Sequence, residues 1–170
     1  QRAVPGLIKV LEDINQEPMV RHEAAEALGA IGNPEVLQIL EKYKHDPVVE
    51  VAETCEIAIE RIKWTQRKLD ENLPSNPYLS VDPAPASPVK NVAELKSVLL
   101  DENASLFDRY RAMFTLRNLQ SREAVLALGE GLKCKSALFR HEIAFVMGQL
   151  QDANGIPFLK ESLEDSSENE

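Results

Sequence analysis

Two short motifs contain the residues best suited to chemistry. Arg21-His22-Glu23 and Arg140-His141-Glu142 each lie within an apolar helical pattern. An imidazole nitrogen beside a carboxylate oxygen is a hard-to-borderline ligand pair that suits Fe, Zn or Mn. Neither motif is the HExxH of zinc proteases, because Glu26 and Phe145 stand four residues beyond the histidines. The motifs therefore predict a transition-metal site, and accidental repetition on a solvated polar face is the alternative.

The helical pattern predicts where these side chains point. The apolar stripe around the first motif comprises Val20, Ala24, Ala27, Leu28 and Ile31. At about 100° per residue, His22 falls nearly opposite this stripe and Glu23 about a quarter turn away. His141 and Glu142 take the same two angles in the second helix. We therefore expect both histidines outside the core, on the helices that line the binding surface of a repeat solenoid.

A repeat of 31 residues positions both motifs, because segment 20–28 aligns with 51–59 and segment 109–120 with 140–151. Each repeat has the pattern of two helices, and Asn33-Pro34 and Asp46-Pro47 are predicted to cap helices while Gly32 ends one. The predicted helices cover 4–13, 19–31, 34–44, 48–63, 92–100, 106–119, 122–132, 137–150 and 155–163. Hairpins stacked at this period form an all-α, HEAT-like α-solenoid.

A proline-rich stretch divides the chain into two pseudo-symmetric halves. Segment 72–88 holds five of the ten prolines and shows no helical period, so we predict repeat arrays over 1–64 and 91–170 and a linker over 65–90. The halves match at an offset of 152, since Val4-Pro5 recurs as Ile156-Pro157. The linker is either a flexible spacer or a segment that packs on the helices, because Tyr78 and Leu79 are unusual in a solvated tether.

Composition excludes several classes of partner. The chain has 170 residues, with 28 acidic and 19 basic side chains and a net charge of −9, so we expect no nucleic-acid partner. No apolar run approaches the roughly 20 residues of a membrane helix, so we expect no membrane association. The two cysteines, Cys55 and Cys134, form no disulfide pattern, which favours a reducing, cytoplasmic location. Lysines on both sides of Cys134 could lower its pKa, although we assign this thiol no role.

The paired motifs, the duplicated repeats and the linker sequence over 76–84 closely resemble the deoxyhypusine hydroxylase family. The resemblance implies a di-iron monooxygenase of hypusine biosynthesis that uses two Fe2+ ions and O2. Its implied substrate is the deoxyhypusine side chain of a translation initiation factor. His22 and Glu23 would be ligands of one iron and His141 of the other, while Glu142 would bind the amine of the substrate.

The offset of 152 places two further His-Glu motifs beyond the ends of this chain. We therefore expect a central fragment with an incomplete ligand set, which binds iron weakly and is inactive alone. The main alternative function is a non-catalytic HEAT-like scaffold that binds a protein on its concave face. A third possibility is a HEAT-like bilin lyase, for which the sequence offers no specific pocket motif.

Overall fold

The computed structural model describes residues 2–67 and 75–168, and all regular secondary structure within them is helical. Short three-ten turns at Pro34–Val36 and Ala153–Gly155 precede two of the helices. The α-helices are α1 (Val4–Glu12), α2 (Pro18–Ile31), α3 (Leu37–Tyr43), α4 (Val49–Gln66), α5 (Val92–Leu100), α6 (Leu106–Leu119), α7 (Arg122–Gly131), α8 (Ala137–Leu150) and α9 (Ile156–Glu164). The predicted all-α, HEAT-like class is confirmed, and each predicted helix is present with ends that agree within a few residues.

Local side-chain chemistry accounts for the N-terminal ends of four of these helices, α5 to α8. The side chains of Ser105 and Ser136 accept hydrogen bonds from the backbone N–H groups of Asp108 and Phe139. These contacts satisfy donors that have no partner inside the helix. Gly32 ends α2 with a φ of 71°, a left-handed conformation that glycine adopts without steric cost. The predicted end at Gly32 is confirmed.

The predicted cap at Asp46 is wrong. Helix α4 begins at Val49, and its N-cap residue Val48 makes no side-chain cap. The Asp46 carboxylate accepts the backbone N–H of Val48 at 2.9 Å and also binds the guanidinium of Arg21. A charge-assisted bond of this kind is stronger than a neutral cap, so the pairing with Arg21 determines where Asp46 lies.

The first compact unit consists of the described residues of 1–70 and 81–84. Helix α2 packs against both α1 and α4. The approach of α2 to α4 is close at Gly29, where a Cβ atom would lie 2.7 Å from the Cβ of Ala58. The core is aliphatic and includes Leu11, Ala25, Leu28, Leu40, Val51, Ile59 and Ile62.

The second compact unit consists of the described residues of 71–80 and 85–170. Its core contains aromatic rings: the Tyr110 ring centroid lies 5.5 Å from that of Phe139 and 6.2 Å from that of Phe114. The guanidinium of Arg109 lies 4.2 Å from the Phe139 ring centroid. Cation–π contacts of this kind stabilise a buried arginine beside an aromatic ring.

Arginine at one repeat position ties helices of a hairpin together. The Nε atoms of Arg21 and Arg109 donate at 3.0 Å to the carbonyl oxygens of Leu11 and Leu99, near the ends of the preceding helices. Arg140 donates instead to the carbonyl of Cys134 and to the carboxylate of Glu168. The arginine in both His-Glu motifs is therefore a structural residue, and these contacts give it the acidic partners Asp46 and Glu168.

The proline-rich segment packs on the helices over its described part. Arg117 is fully buried, with its guanidinium 4.7 Å from the Tyr78 ring centroid and 3.1 Å from Asn76 Oδ1. The backbone N–H of Ser87 donates to the Thr115 hydroxyl at 2.7 Å. These contacts favour a packed segment over a flexible spacer for residues 75–90, while linker residues 68–74 lie outside the described residues.

Among the described helices, none is both long enough and apolar enough to span a membrane.

Candidate metal centre

His22 is buried in the first unit, with 4% of its surface exposed. The prediction that it lies outside the core is therefore wrong. The reason is that α4 also packs against α2 and covers the imidazole with Thr54, which is also 4% exposed. The predicted apolar stripe is also confirmed only in part, because Ala24 and Leu28 are buried whereas Val20 and Ile31 are 43% and 40% exposed. A helical wheel of α2 alone contains no information about a side chain on the neighbouring repeat.

The contact with Thr54 favours a proton on Nδ1 of His22. Nδ1 lies 2.6 Å from Thr54 Oγ1, and that hydroxyl donates to the carbonyl oxygen of Glu50 at 2.7 Å. Because a hydroxyl has one proton, Oγ1 acts as the acceptor toward His22 and Nδ1 acts as the donor. Nε2 of the neutral ring then carries the lone pair, which is the form that a metal ion requires.

Two carboxylates lie on the Nε2 side of the ring. Glu23 Oε1 and Glu26 Oε2 are each 3.9 Å from His22 Nε2. Two ligand atoms that each lie about 2.1 Å from one ion can be at most about 4.2 Å apart. The separation of His22 and Glu23 therefore fits two ligands of a single iron, in agreement with their donor chemistry.

Glu26 is a further acidic neighbour of this pair, and it is not among the site residues predicted from the sequence. It lies one helical turn after His22 and is partly buried. Burial raises the pKa of its carboxyl group, and the charge of Glu23 raises it further, while Arg61 acts in the opposite direction. The spacing of four residues from His22 was the available signal for this contact.

The described residues contain no group of three or more His, Cys, Asp or Glu side chains that could hold a metal ion. The first unit therefore contributes the pair formed by His22 and Glu23. This pair fits a metal by donor type and by separation, and it is the part of the predicted site that the structure brings together.

His141 and Glu142 lie at the start of α8 in the second unit. His141 is exposed, as its helical angle predicts, and Glu142 is partly buried. Phe145, one turn further along, leaves 55% of its surface exposed. The first histidine is covered by Thr54 of α4, the second helix of the repeat that follows it along the chain.

The cysteines do not contribute reactive groups. Burial raises the pKa of Cys55 to about 12. Burial also raises the pKa of Cys134, an effect that outweighs the nearby charge of Arg109. The expectation that flanking lysines lower the pKa of Cys134 is wrong, because the residue is only 7% exposed and burial has the largest effect on the pKa of its thiol.

The repeats match known family models. Residues 1–60 match the family described as HEAT repeats, and residues 108–134 and 139–165 match the family described as PBS lyase HEAT-like repeat. Fold and sequence together define the class of this chain: it is a HEAT-repeat α-solenoid protein.

Full-chain relatives give a narrower assignment. Deoxyhypusine hydroxylase from Drosophila melanogaster is 64% identical over 99% of this chain, and that from Homo sapiens is 57% identical over 99%. A solved structure of human deoxyhypusine hydroxylase in complex with glycerol matches 99% of the chain with a TM-score of 0.93 and 57% identity. The chain belongs to the deoxyhypusine hydroxylase family. It spans 56% and 55% of the lengths of these two relatives and 58% of the solved chain.

Proposed function

We propose that this chain forms part of an iron-dependent deoxyhypusine monooxygenase, a di-iron oxidoreductase that uses O2. Its substrate is the deoxyhypusine side chain of a translation initiation factor, and its product is hypusine. The observation that carries the proposal is the identity of 57% to 64% with relatives named deoxyhypusine hydroxylase over 99% of the chain. The arrangement of His22 and Glu23 supports it independently.

His22 and Glu23 hold one iron in this proposal. His22 binds through Nε2, because its Nδ1–H donates a hydrogen bond to Thr54 Oγ1. Glu23 supplies a carboxylate oxygen. Its side chain is 72% exposed, so the carboxylate can bind a metal at little desolvation cost. Bound iron supplies the activation of O2 for hydroxylation of a C–H bond, a reaction that amino-acid side chains cannot perform by themselves.

The two residues of the second motif, His141 and Glu142, have different roles in this proposal. His141 binds the other iron, and its exposed imidazole is accessible for coordination. Glu142 binds the protonated amine of the deoxyhypusine arm, since a carboxylate and an ammonium group form a charge-assisted hydrogen bond. The net charge of −9 favours the approach of a cationic segment of the substrate protein, although most of these charges belong to an ordinary solvated surface.

Under this assignment, the chain supplies two ligands to one iron and one ligand to the other. We therefore expect the isolated chain to bind iron weakly and to lack hydroxylase activity. A cytoplasmic location, proposed from the unpaired cysteines, is compatible with a substrate that takes part in translation.

A chimaera tests the proposal directly. The segment of the Drosophila melanogaster enzyme that aligns with this chain is replaced by it, and the purified protein is given a deoxyhypusine-containing substrate and O2. We expect the substrate to gain one oxygen atom by mass spectrometry, with loss of this product in His22→Ala and His141→Ala. His45→Ala is the matched control, because His45 is exposed and lies outside both motifs. Unchanged activity in both His22→Ala and His141→Ala would instead support a non-catalytic scaffold.

A further inference from the structure

We propose that Thr54 is a positioning residue that fixes the tautomer of His22, so that Nε2 presents its lone pair to the metal. The inference rests on the proposed function for the identity of His22 as a ligand. It adds a residue from the neighbouring repeat, which carries no His-Glu motif of its own. Thr54 acts through His22 and does not touch the metal or the substrate.

The geometry assigns the direction of the hydrogen bond. The Thr54 hydroxyl lies 2.7 Å from the carbonyl oxygen of Glu50, the residue one turn earlier in α4. A threonine hydroxyl within a helix commonly donates to the carbonyl four residues before it. With its proton used in this way, the oxygen offers lone pairs to His22 Nδ1 at 2.6 Å. The neutral imidazole therefore keeps its proton on Nδ1.

Burial makes this assignment durable. His22 and Thr54 are each 4% exposed, so water has little access to exchange with their hydrogen bond. Leaving a buried donor without its acceptor costs about 1–3 kcal/mol. The opposite tautomer would place a proton on Nε2, the nitrogen that faces the carboxylates of Glu23 and Glu26. That form cannot coordinate a cation through Nε2.

This arrangement has a known physical consequence for metal binding. A histidine ligand usually donates its second ring N–H to an acceptor, which orients the ring and increases its basicity. Removal of such an acceptor typically weakens metal affinity by about 10- to 100-fold. Thr54→Val keeps the shape of the side chain and removes the hydroxyl, whereas Thr54→Ser keeps the hydroxyl.

The tautomer can be measured in this 170-residue chain without any metal. The chain has three histidines, so 15N labelling of histidine gives a simple spectrum. The His45→Gln and His141→Gln variants each remove one set of signals, which identifies the signals of His22. We expect long-range 15N–1H NMR to show His22 protonated on Nδ1 in the wild type. Thr54→Val should shift the population toward Nε2–H, and Thr54→Ser should restore the wild-type pattern.

A matched control is available on α6. Thr115 makes the same hydroxyl contact to the carbonyl oxygen of Arg111, at 2.6 Å, and lies in the other unit. Thr115→Val should therefore leave the His22 signals unchanged. A wild-type chain with its proton on Nε2 would overturn the inference without any variant. An unchanged tautomer in a folded Thr54→Val variant would overturn it as well.

Metal affinity supplies the second readout. Zn2+ is a diamagnetic probe, and its titration into the labelled chain reports binding at His22 Nε2. We expect Thr54→Val to raise the half-saturating Zn2+ concentration by about 10- to 100-fold, with Thr54→Ser close to the wild type. Equal Zn2+ affinity of Thr54→Val and the wild type would contradict the positioning role. Loss of the chimaera's activity is not part of this test, so the proposed function and the role of Thr54 can fail separately.

Discussion

Arg21 and Asp46 form a two-point ion pair inside the first unit. Nη2 of Arg21 lies 2.5 Å from Oδ2 of Asp46, and Nη1 lies 3.2 Å from Oδ1. The side chains are 4% and 3% exposed. Because Nε of the same guanidinium donates to Leu11, one arginine connects the end of α1, the start of α2 and the turn before α4.

Asp46→Asn should therefore destabilise the first unit strongly. The substitution leaves the buried charge of Arg21 without its counter-ion, and such losses amount to roughly 3–5 kcal/mol. Urea unfolding of this chain, followed by circular dichroism, measures the change. Glu12→Gln is the control, since the Glu12–Lys42 pair is 3.9 Å apart and solvent-exposed, and it should cost no more than about 1 kcal/mol. Equally small losses in both variants would contradict the structural role of Asp46.

Because of the Arg21–Asp46 ion pair, the folding stability of the first unit should depend on pH. Burial raises the pKa of Asp46, but the hydrogen bonds from Arg21 and from the Val48 N–H outweigh this effect and leave the pKa below its ordinary value. A carboxyl group with a lowered folded-state pKa stabilises fully above the unfolded value, about 3.9, and this contribution is lost as pH falls through the folded value. The wild type should lose this stabilisation below about pH 4. Asp46→Asn should show a flatter dependence there.

Gly29→Ala should separate α2 from α4. The added Cβ would lie 2.7 Å from the Cβ and 3.0 Å from the Cα of Ala58, and backbone at that distance cannot move away cheaply. We expect a loss of about 1–3 kcal/mol in the free energy of unfolding. Gly6→Ala in α1 meets no atom within 4 Å and should be neutral or stabilising, because alanine favours a helix more than glycine by about 1 kcal/mol. A Gly29→Ala variant as stable as Gly6→Ala would exclude this close approach.

Arg117→Lys should loosen the proline-rich segment in the second unit. Cζ of Arg117 lies 4.7 Å and 4.8 Å from the centroids of the Tyr78 and Phe114 rings, and the guanidinium also donates to Asn76 Oδ1. A lysine ammonium cannot reproduce this combination of contacts. We expect roughly tenfold faster hydrogen exchange at the amide of Tyr78, the effect of losing about 1.4 kcal/mol. Arg122→Lys is an exposed control that should leave this exchange unchanged. Identical exchange in both variants would show that Arg117 does not hold the segment.

The helices could be predicted because their signals are local. Ser105 and Ser136 stand directly before apolar helical patterns, and Gly32 directly follows one. The repeat period added the pairing of helices into hairpins. In contrast, Asp46 precedes a proline and has the local signature of a cap, yet its partner is Arg21, which lies 25 residues earlier.

The environment of the candidate ligands could be predicted only in part. The angle of His141 on α8 correctly gave an exposed side chain. The same angle failed for His22, because Thr54 on α4 covers it and satisfies its ring N–H. Thr54 follows His22 by one repeat period plus one residue, so the repeat predicts that Thr54 lies near His22. The sequence alone does not show that these two polar side chains are buried and hydrogen-bonded to each other.

Glu142→Gln should separate substrate binding from iron binding. In the chimaera with the Drosophila melanogaster enzyme, the amide loses the charge that binds the substrate's amine, at a cost of about 1.5–3 kcal/mol, or roughly 10- to 100-fold in kcat/KM. Iron content should stay at the level of the unsubstituted chimaera, since Glu142 is assigned to the substrate. A fall in iron content that parallels the fall in activity would make Glu142 a ligand instead.

The role of His22 and Glu23 as iron ligands can be tested through the iron content of the chimaera. This content is measured by inductively coupled plasma mass spectrometry after anaerobic loading with Fe2+ and removal of unbound metal. We expect His22→Ala and Glu23→Ala each to lose iron relative to the unsubstituted chimaera, and His45→Ala to retain it. The circular dichroism spectrum of each variant shows whether it is folded. Full iron content in a folded His22→Ala variant would contradict the assignment of His22 as a ligand.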